Sequence, residues 1–562
     1  MAEKKLNLLC LLAIAVLAAG MFLPWLGAIT LFDVDEPRFA EAGRTMRATG
    51  NYLVPYFNGE VRYDKPPLIY WVMLGGYRIF GVNELGARIG SAAAGVAWCV
   101  LIFMLAKAMF ARRAALIAAV IAATTLMFFV ESRVATADSL LLLTVMAMFM
   151  GFWRVHSGRR NLLSWLLLYG GMAAGSLTKG PVSLAILLVS AAIYAMLRRE
   201  YPAGSRIGRK ARLWWAEMRL VAREMHLVIG VAAATAVVLA WFVPAIVATH
   251  GGFLTDGFYK HVVQRSVGPQ AMEGHRGIPA VFYLAILPAA FFPWFAILPE
   301  SIRRFWKSPG GRGRKAFLLA WAIAPFVVFS FLRTKLPHYT MPAYPALAII
   351  CGWALDSALS SGDGFWKHWL GKAGIIVFAI TGAAFAAGVI VFPIYAGLPV
   401  PTMLPLHAAL LILTVWMVLA FARRPTRATI AGAAAVAAIA LQAAIATGAV
   451  AFSNAPMYKN LAGEVKPLLQ PGDAVVHVGT LEPSLVFYLQ RTVPVAETAG
   501  QLAGFAREHG RCICIAEKSK TGIIENAGGR ELLHGRYFNT RKMKWKEMTV
   551  WAVEAPTAPP PN

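Results

Sequence analysis

LFDVDEPRFAEAGRTMRATGNYLVPYFNGEVRYDKPPLIYW, residues Leu31–Trp71, decides how this chain is read. The stretch follows a first apolar segment and carries Asp33, Asp35, Glu36, Arg38, Asp64 and Lys65 in a protein that is otherwise nearly all apolar helix. Charges at that density belong in water. A mere connector between two membrane helices needs no such assortment, so the segment reads as the loop that carries chemistry.

The composition around it agrees. The 562 residues are 58% hydrophobic and 15% charged, outside the range of soluble globular proteins and inside that of polytopic membrane proteins. The formal net charge is +26, from 54 Lys+Arg against 28 Asp+Glu. Much of that excess falls in short loops between apolar spans, where it reports orientation, and no nucleic-acid recognition motif accompanies it. MAEKK followed by apolar sequence through Trp25 is longer than a usual signal-peptide core, which favours a retained first helix over a cleaved leader.

Spans of about twenty apolar residues bounded by charge give about thirteen transmembrane helices: 6–27, 84–108, 113–131, 137–154, 162–177, 181–197, 226–248, 278–298, 316–333, 341–357, 372–392, 403–421 and 429–450. The fifth and sixth divide at Thr178-Lys179-Gly180-Pro181, where Gly ends one helix and Pro begins another. With a cytoplasmic N-terminus, every inward loop is basic, from Arg112 and Arg113 through Arg198 to Arg223 and Arg303 to Lys315, as the positive-inside rule requires. Loop 28–83, the turn 131–137, the tip 178–181, loop 250–277 and residues 333–340 then face outward. Residues 199–224 combine arginines with Trp214, Trp215 and Leu220, the pattern of an interfacial amphipathic helix, and 68–80 suits a helix in the outer interface.

Beyond 450 the composition changes. Strand-like runs at 473–479, 493–497, 512–518 and 548–555 alternate with helical stretches near 484–490 and 500–508, predicting a small α/β domain over 451–562, while 1–450 form the membrane domain. Cys512 and Cys514 lie two apart on one strand, where Cα atoms roughly 6.5 Å apart favour buried free thiols over a disulfide.

Several residues point to chemistry. Asp35 and Glu36 can position a hydroxyl or hold a cation, although a helix cap followed by Pro37 explains them too. Lys65, before two prolines, is placed to meet a phosphate near the headgroup layer, or to snorkel. Asp138 opens the fourth helix, where capping would also account for it, and Lys179 at a tight hairpin tip belongs beside a cavity or an anion. Asp64 with a histidine such as His261 is a candidate zinc pair, without any HxxxH-type spacing to support it. Asp35, Lys65, Asp138, Lys179, Arg265 and Tyr339 all map to one side in this topology, so one outward-opening aqueous cavity is expected to gather them.

Asp35-Glu36-Pro37-Arg38-Phe39-Ala40-Glu41, Thr49-Gly50-Asn51 through Val54-Pro55, Tyr63-Asp64-Lys65-Pro66, Leu177-Thr178-Lys179-Gly180 and Lys335-Leu336-Pro337-His338-Tyr339 together resemble the GT-C polytopic glycosyltransferases, and within them the aminoarabinose transferases of Gram-negative bacteria. The resemblance implies a multi-pass inner-membrane enzyme with its site and C-terminal domain in the periplasm. It implies transfer of 4-amino-4-deoxy-L-arabinose from undecaprenyl phosphate to a lipid A phosphate, a lipopolysaccharide modification that confers resistance to polymyxin and cationic peptides. On that footing Asp35, Glu36 and Asp138 are the catalytic positions; Lys65, Arg38, Lys179, Arg265 and Tyr339 bind lipid phosphate. No cofactor is required, a divalent metal such as zinc near the site being only the option that Asp64 and His261 offer by residue type, and the partners are the lipid-linked donor, lipid A and membrane lipids, with the chain acting as a monomer. Phe39 and Asp64 depart from the family pattern, so no role transfers to them. A protein O-mannosyltransferase is the alternative within the superfamily, and a lipid flippase or transporter is the alternative outside it.

Overall fold

The computed structural model describes residues 2–264, 281–395, 426–539 and 541–555, except 203, 205, 333, 454 and 456, together with 412, 415, 416, 419, 420 and 423. Seven helices among the described residues are long and apolar enough to cross a membrane: Glu3–Phe22, Glu84–Met109, Asp138–His156, Leu227–Ala248, Arg312–Ser330, Pro337–Ser361 and Arg427–Gly448. Each falls on a span read from the sequence. Most of the span at 403–421 lies outside the described residues.

The remaining spans are shorter or interrupted, each for a local reason. The helix expected over 113–131 stops at Ala123 and resumes as Leu126–Glu131, because the Thr124 and Thr125 hydroxyls bond back to the Val120 and Ile121 carbonyls at 2.7 Å and Leu126 N–H donates to Phe292 O. The single helix expected over 278–298 is instead Phe282–Ala290, a 3-10 turn Trp294–Ala296 and Leu298–Lys307. Pro293 and Pro299 lack the N–H groups a continuous helix would need. Leu162–Trp165 and Gly171–Lys179 are joined by a π-helical turn, Leu166–Gly170. At Gly180, φ is 71°, which ends that helix where the sequence placed the break.

Packing inside the bundle relies on small residues and aromatic layers, since lipid offers apolar side chains no worse a solvent than the interior does. Helix Tyr344–Ser361 lies so close to Arg112–Ala123 that a Cβ on Gly352 would stand 2.6 Å from the Ala114 carbonyl oxygen. Phe149 and Trp321 stack at 4.3 Å between Asp138–His156 and Arg312–Ser330. Some basic residues at one end are paired there: Arg198 with Glu224 at 2.7 Å, Arg303 and Arg304 with Glu300 at 2.5 and 2.9 Å. The expected amphipathic segment is a helix, Ile207–Glu224, with Trp214 donating to Ala192 O and Trp215 exposed.

At the other end, helix Asp35–Thr49 packs on helix Leu68–Phe80 around Phe39, Met46, Tyr70, Met73 and Tyr77. The C-terminal sheet has five strands in the order Val495–Ala496, Ala474–Val478, Arg511–Glu517, Lys544–Glu554 and Arg530–Asn539. The first three are parallel and the last two join antiparallel. Strand Arg530–Asn539 is the one the sequence reading missed; its charged, exposed first half hides the alternation. Cys512 and Cys514 are buried free thiols, 3.6 Å apart at sulfur.

The C-terminal domain is fastened to the first loop. Ser484 donates its N–H and its hydroxyl to Asp33 at 2.9 and 2.5 Å, Asn58 exchanges two hydrogen bonds with Val493, and Lys459 pairs with Glu84 at 2.7 Å. Burial beside Ser484 pushes the Asp33 carboxyl up to about 6.

Candidate active site

A cavity of about 570 Å³ opens beneath the first loop. Its long wall is apolar: Met172, Leu184 and Ala185 from the Lys179 hairpin, Val238, Leu239 and Phe242 from helix Leu227–Ala248, and Val328, Phe329 and Leu332. Its polar end holds Tyr63, Asp64, Lys65, Lys179 and Tyr339. A greasy groove whose polar end carries two ammonium groups, two phenols and one carboxylate, itself paired with Arg62, suits an amphiphile with an anionic head.

Lys179 is held in place from several sides. Its ammonium donates to Asp138 Oδ1 at 2.5 Å and sits 4.5 Å from the centroid of the Tyr339 ring. Asp138 Oδ2 faces His338 Nε2 at 3.5 Å, and His338 Nδ1 faces Glu131 at 3.4 Å. Four charged or ionisable groups from separate parts of the chain therefore form one row, and the charge of Lys65 also acts on Asp138. Asp138 makes no side-chain capping bond, so the ion pair and not a cap explains it. The sequence reading holds His338 only within Lys335-Leu336-Pro337-His338-Tyr339 and Glu131 only as the start of the turn 131–137, and singles out neither, because neither stands in a recognisable spacing.

The acidic pair divides in two. Glu36 is buried and bidentate with Arg88 at 2.8 Å on each oxygen, and it accepts the N–H groups of Phe32 and Ala135 at 2.9 and 2.7 Å. Arg88 also donates to the carbonyls of Leu26, Ile29 and Thr30. Glu36 is thus an internal fastening of the loop and does not line the groove, whereas its sequence reading places it among the catalytic positions. Asp35 is exposed at the start of helix Asp35–Thr49, makes no capping bond, and has no hydrogen-bond partner among the described residues. The capping explanation fails for it as well.

Arg38 does not line the groove either; it stands beside Asp35, half-buried, with its pKa lowered by burial and by Arg62. Arg62 donates to Tyr70 at 2.9 Å, pairs with Asp64 at 3.3 Å and lies over Phe39. Arg265 lies outside the described residues, as does the side chain of His261. Among the described residues no group of three His, Cys, Asp or Glu side chains gathers as metal ligands, and Asp64 is engaged by Arg62.

These observations describe a polytopic helical membrane protein with a charged first loop over an apolar groove and a small α/β domain. A family model described as dolichyl-phosphate-mannose-protein mannosyltransferase matches residues 64–210. The chain is similar to the undecaprenyl phosphate-alpha-4-amino-4-deoxy-L-arabinose arabinosyl transferase of Edwardsiella ictaluri, 29% identical over 341 residues, which is 60% of this chain and 58% of that one. The protein of the same name from Pseudomonas aeruginosa strain PAO1 is 28% identical over 62% of this chain and 60% of its own. The matched region thus spans less than two thirds of these relatives. The crystal structure of ArnT from Cupriavidus metallidurans bound to undecaprenyl phosphate has a TM-score of 0.73 with this chain at 22% identity, covering 99% of each. The oligosaccharyltransferase of Archaeoglobus fulgidus reaches 0.51 at 12% identity over 92% of this chain and 70% of its own. Over the described residues the chain has the ArnT-like GT-C fold.

Proposed function

We propose that this protein is an inner-membrane glycosyltransferase that moves 4-amino-4-deoxy-L-arabinose from undecaprenyl phosphate to a phosphate of lipid A, with the groove opening on the periplasmic side. The observation that carries the reading is the apolar groove ending at Lys65, Lys179 and Tyr339. The similarity to named arabinosyl transferases and to a structure holding undecaprenyl phosphate supports it. The concentration of arginines at the opposite end of the bundle supports the orientation.

Lys65 and Lys179 hold the donor phosphate, with the Tyr339 hydroxyl as a further donor, and the prenyl chain lies along Leu184, Leu239 and Phe329. An oxygen of the acceptor phosphate attacks the anomeric carbon. A new carbon–oxygen bond forms there, the bond to undecaprenyl phosphate breaks, and its electron pair leaves on that phosphate. The nucleophile is already anionic, so no proton has to be removed. Lys65 and Lys179 stabilise the charge that grows on the departing phosphate. Asp35, exposed and unpartnered among the described residues, orients the sugar or stabilises positive charge at its anomeric carbon. Asp138 keeps Lys179 in position.

Mass spectrometry of lipid A from cells with and without the gene tests the assignment: phosphate-linked aminoarabinose is expected only with it. Unchanged lipid A would remove the reading, and a mannosylated protein product would favour the hydroxyl-acceptor alternative.

A further inference from the structure

Two consecutive residues of one turn, Pro337–Ala343, hold the two partners of the Asp138–Lys179 ion pair. Tyr339 lies against the ammonium, its ring centroid 4.5 Å from Lys179 Nζ. His338 stands on the carboxylate, with Nε2 3.5 Å from Asp138 Oδ2, while Lys179 occupies the other oxygen, Oδ1. The His338 and Tyr339 rings meet edge to face at 5.2 Å. Behind His338, Nδ1 faces Glu131 Oε1 at 3.4 Å, and the Thr136 hydroxyl donates to the second Glu131 oxygen at 3.4 Å. Both carboxylates are buried, Glu131 at the end of Leu126–Glu131 and Asp138 at the head of Asp138–His156. The turn is itself anchored. Trp321 of helix Arg312–Ser330 donates its indole N–H to Pro342 O at 2.7 Å, the Thr340 and Tyr344 hydroxyls lie 3.3 Å apart, and Thr340 to Ala343 are buried.

Lys179 needs such a support. A lysine is a point charge on a flexible four-carbon stem, and an aspartate gripped through one oxygen can still swing about its outer torsion and carry the ammonium with it. A contact on the second oxygen removes that freedom. His338 does not line the groove, so its contact with Asp138, and through it with Lys179, is its route to a bound lipid. We infer that His338 is a positioning residue for the donor phosphate: it braces Asp138 against rotation, is braced in turn by Glu131, and thereby sets where the Lys179 ammonium meets the phosphate. The inference rests on the reading of the groove as a polyprenyl phosphate site.

Two amides of similar size make the test. Glutamine at 338 places an N–H near the position of Nε2, toward Asp138, and asparagine places one near Nδ1, toward Glu131. Full-length wild type, His338→Gln and His338→Asn in nanodiscs are each titrated with undecaprenyl phosphate and with undecaprenol, and sugar transfer is measured on the same samples. His338→Gln is expected to keep the wild-type preference for the phosphate within about threefold, and His338→Asn to lose about tenfold of it, the size of one hydrogen bond to a charged group. The kcat of transfer is expected to fall about tenfold to a hundredfold in His338→Asn, as for a displacement near 1 Å, and far less in His338→Gln. Affinity for undecaprenol, which reads the prenyl chain alone, is expected to stay unchanged in both and to report an intact groove. Equal phosphate preference in the two variants, whether kept or lost, would overturn the inference and leave the donor reading standing. Undecaprenol affinity falling alongside would make His338 a packing residue and overturn it too. A wild type that binds the two lipids equally would remove the donor reading, and the inference with it.

Discussion

The Asp138–Lys179 pair offers a test with a worked magnitude. The two side chains are 10% and 12% exposed and lie 2.5 Å apart, so removing either one strands the other charge in a largely dry environment. Breaking such a pair costs about 3–5 kcal/mol, and partial access to the groove favours the lower figure, about 3 kcal/mol. Lys179→Met leaves Asp138 facing only His338 at 3.5 Å; Asp138→Asn leaves Lys179 with the Tyr339 ring. In the double variant no orphan charge remains, and the row retains the Glu131–His338 contact at 3.4 Å. The double variant is therefore expected to be no less stable than either single one, a coupling of about 2–3 kcal/mol. Thermal unfolding in detergent, followed by size-exclusion of the surviving fraction, reads this as about 1 °C per kcal/mol for a chain of 562 residues. Sugar transfer stays lost in all three variants, because Lys179 is absent or misplaced in each. Stability losses that add in the double variant would refute the pairing, and recovered transfer would refute the role of Lys179 at the donor phosphate.

Other expectations follow from the same geometry. Ala185→Trp fills the apolar wall of the groove without touching a charge and should weaken undecaprenyl phosphate binding at least about tenfold while sparing thermal stability, both measurable on one purified sample. Arg88→Met leaves Glu36 buried and unpaired and should cost about 3–5 kcal/mol, seen as lost expression or early melting; a fully stable variant would mean Glu36 is not the loop's fastening. Asp33, whose carboxyl is raised from 3.8 to about 6, binds its proton more tightly in the folded protein, so its contribution is fully present below about 4 and is lost as pH rises through 6. That difference amounts to at most about 3 kcal/mol, and Asp33→Asn should flatten stability measured between pH 4 and 7; an unchanged slope would assign the dependence elsewhere.

The amount of this arrangement legible in the sequence differs from residue to residue. The helices that cross as single apolar runs, such as Glu84–Met109 and Leu227–Ala248, are visible because twenty apolar residues between charges admit few other readings. The break after Ala123 is not, because the Leu126 N–H on Phe292 O and the Trp294 indole on Thr124 that hold it depend on partners far away in the chain, whereas Pro293 and Pro299, which break the segment Phe282–Lys307, stand in the sequence itself. For the site, the sequence reading singled out Lys65, Lys179, Tyr339 and Asp138 because cations and acids at helix ends have poor structural alternatives, and the structure brings the first three to the groove with Asp138 on Lys179. Glu36 and its neighbour Asp35 share one sequence environment, and only the three-dimensional position of Arg88, fifty-two residues on, separates the buried, paired carboxylate from the exposed one.

The central claim is that side chains from distant segments converge to hold a polyprenyl phosphate by its head. The most direct measurement is the affinity of the purified protein for undecaprenyl phosphate against undecaprenol, in the wild type and in Lys65→Ala. The wild type is expected to prefer the phosphate by about tenfold to a hundredfold, the range for a charge-assisted contact, and Lys65→Ala to lose most of that preference while still binding the prenyl chain. Equal affinity for the two lipids in the wild type, or an undiminished preference in Lys65→Ala, would contradict it.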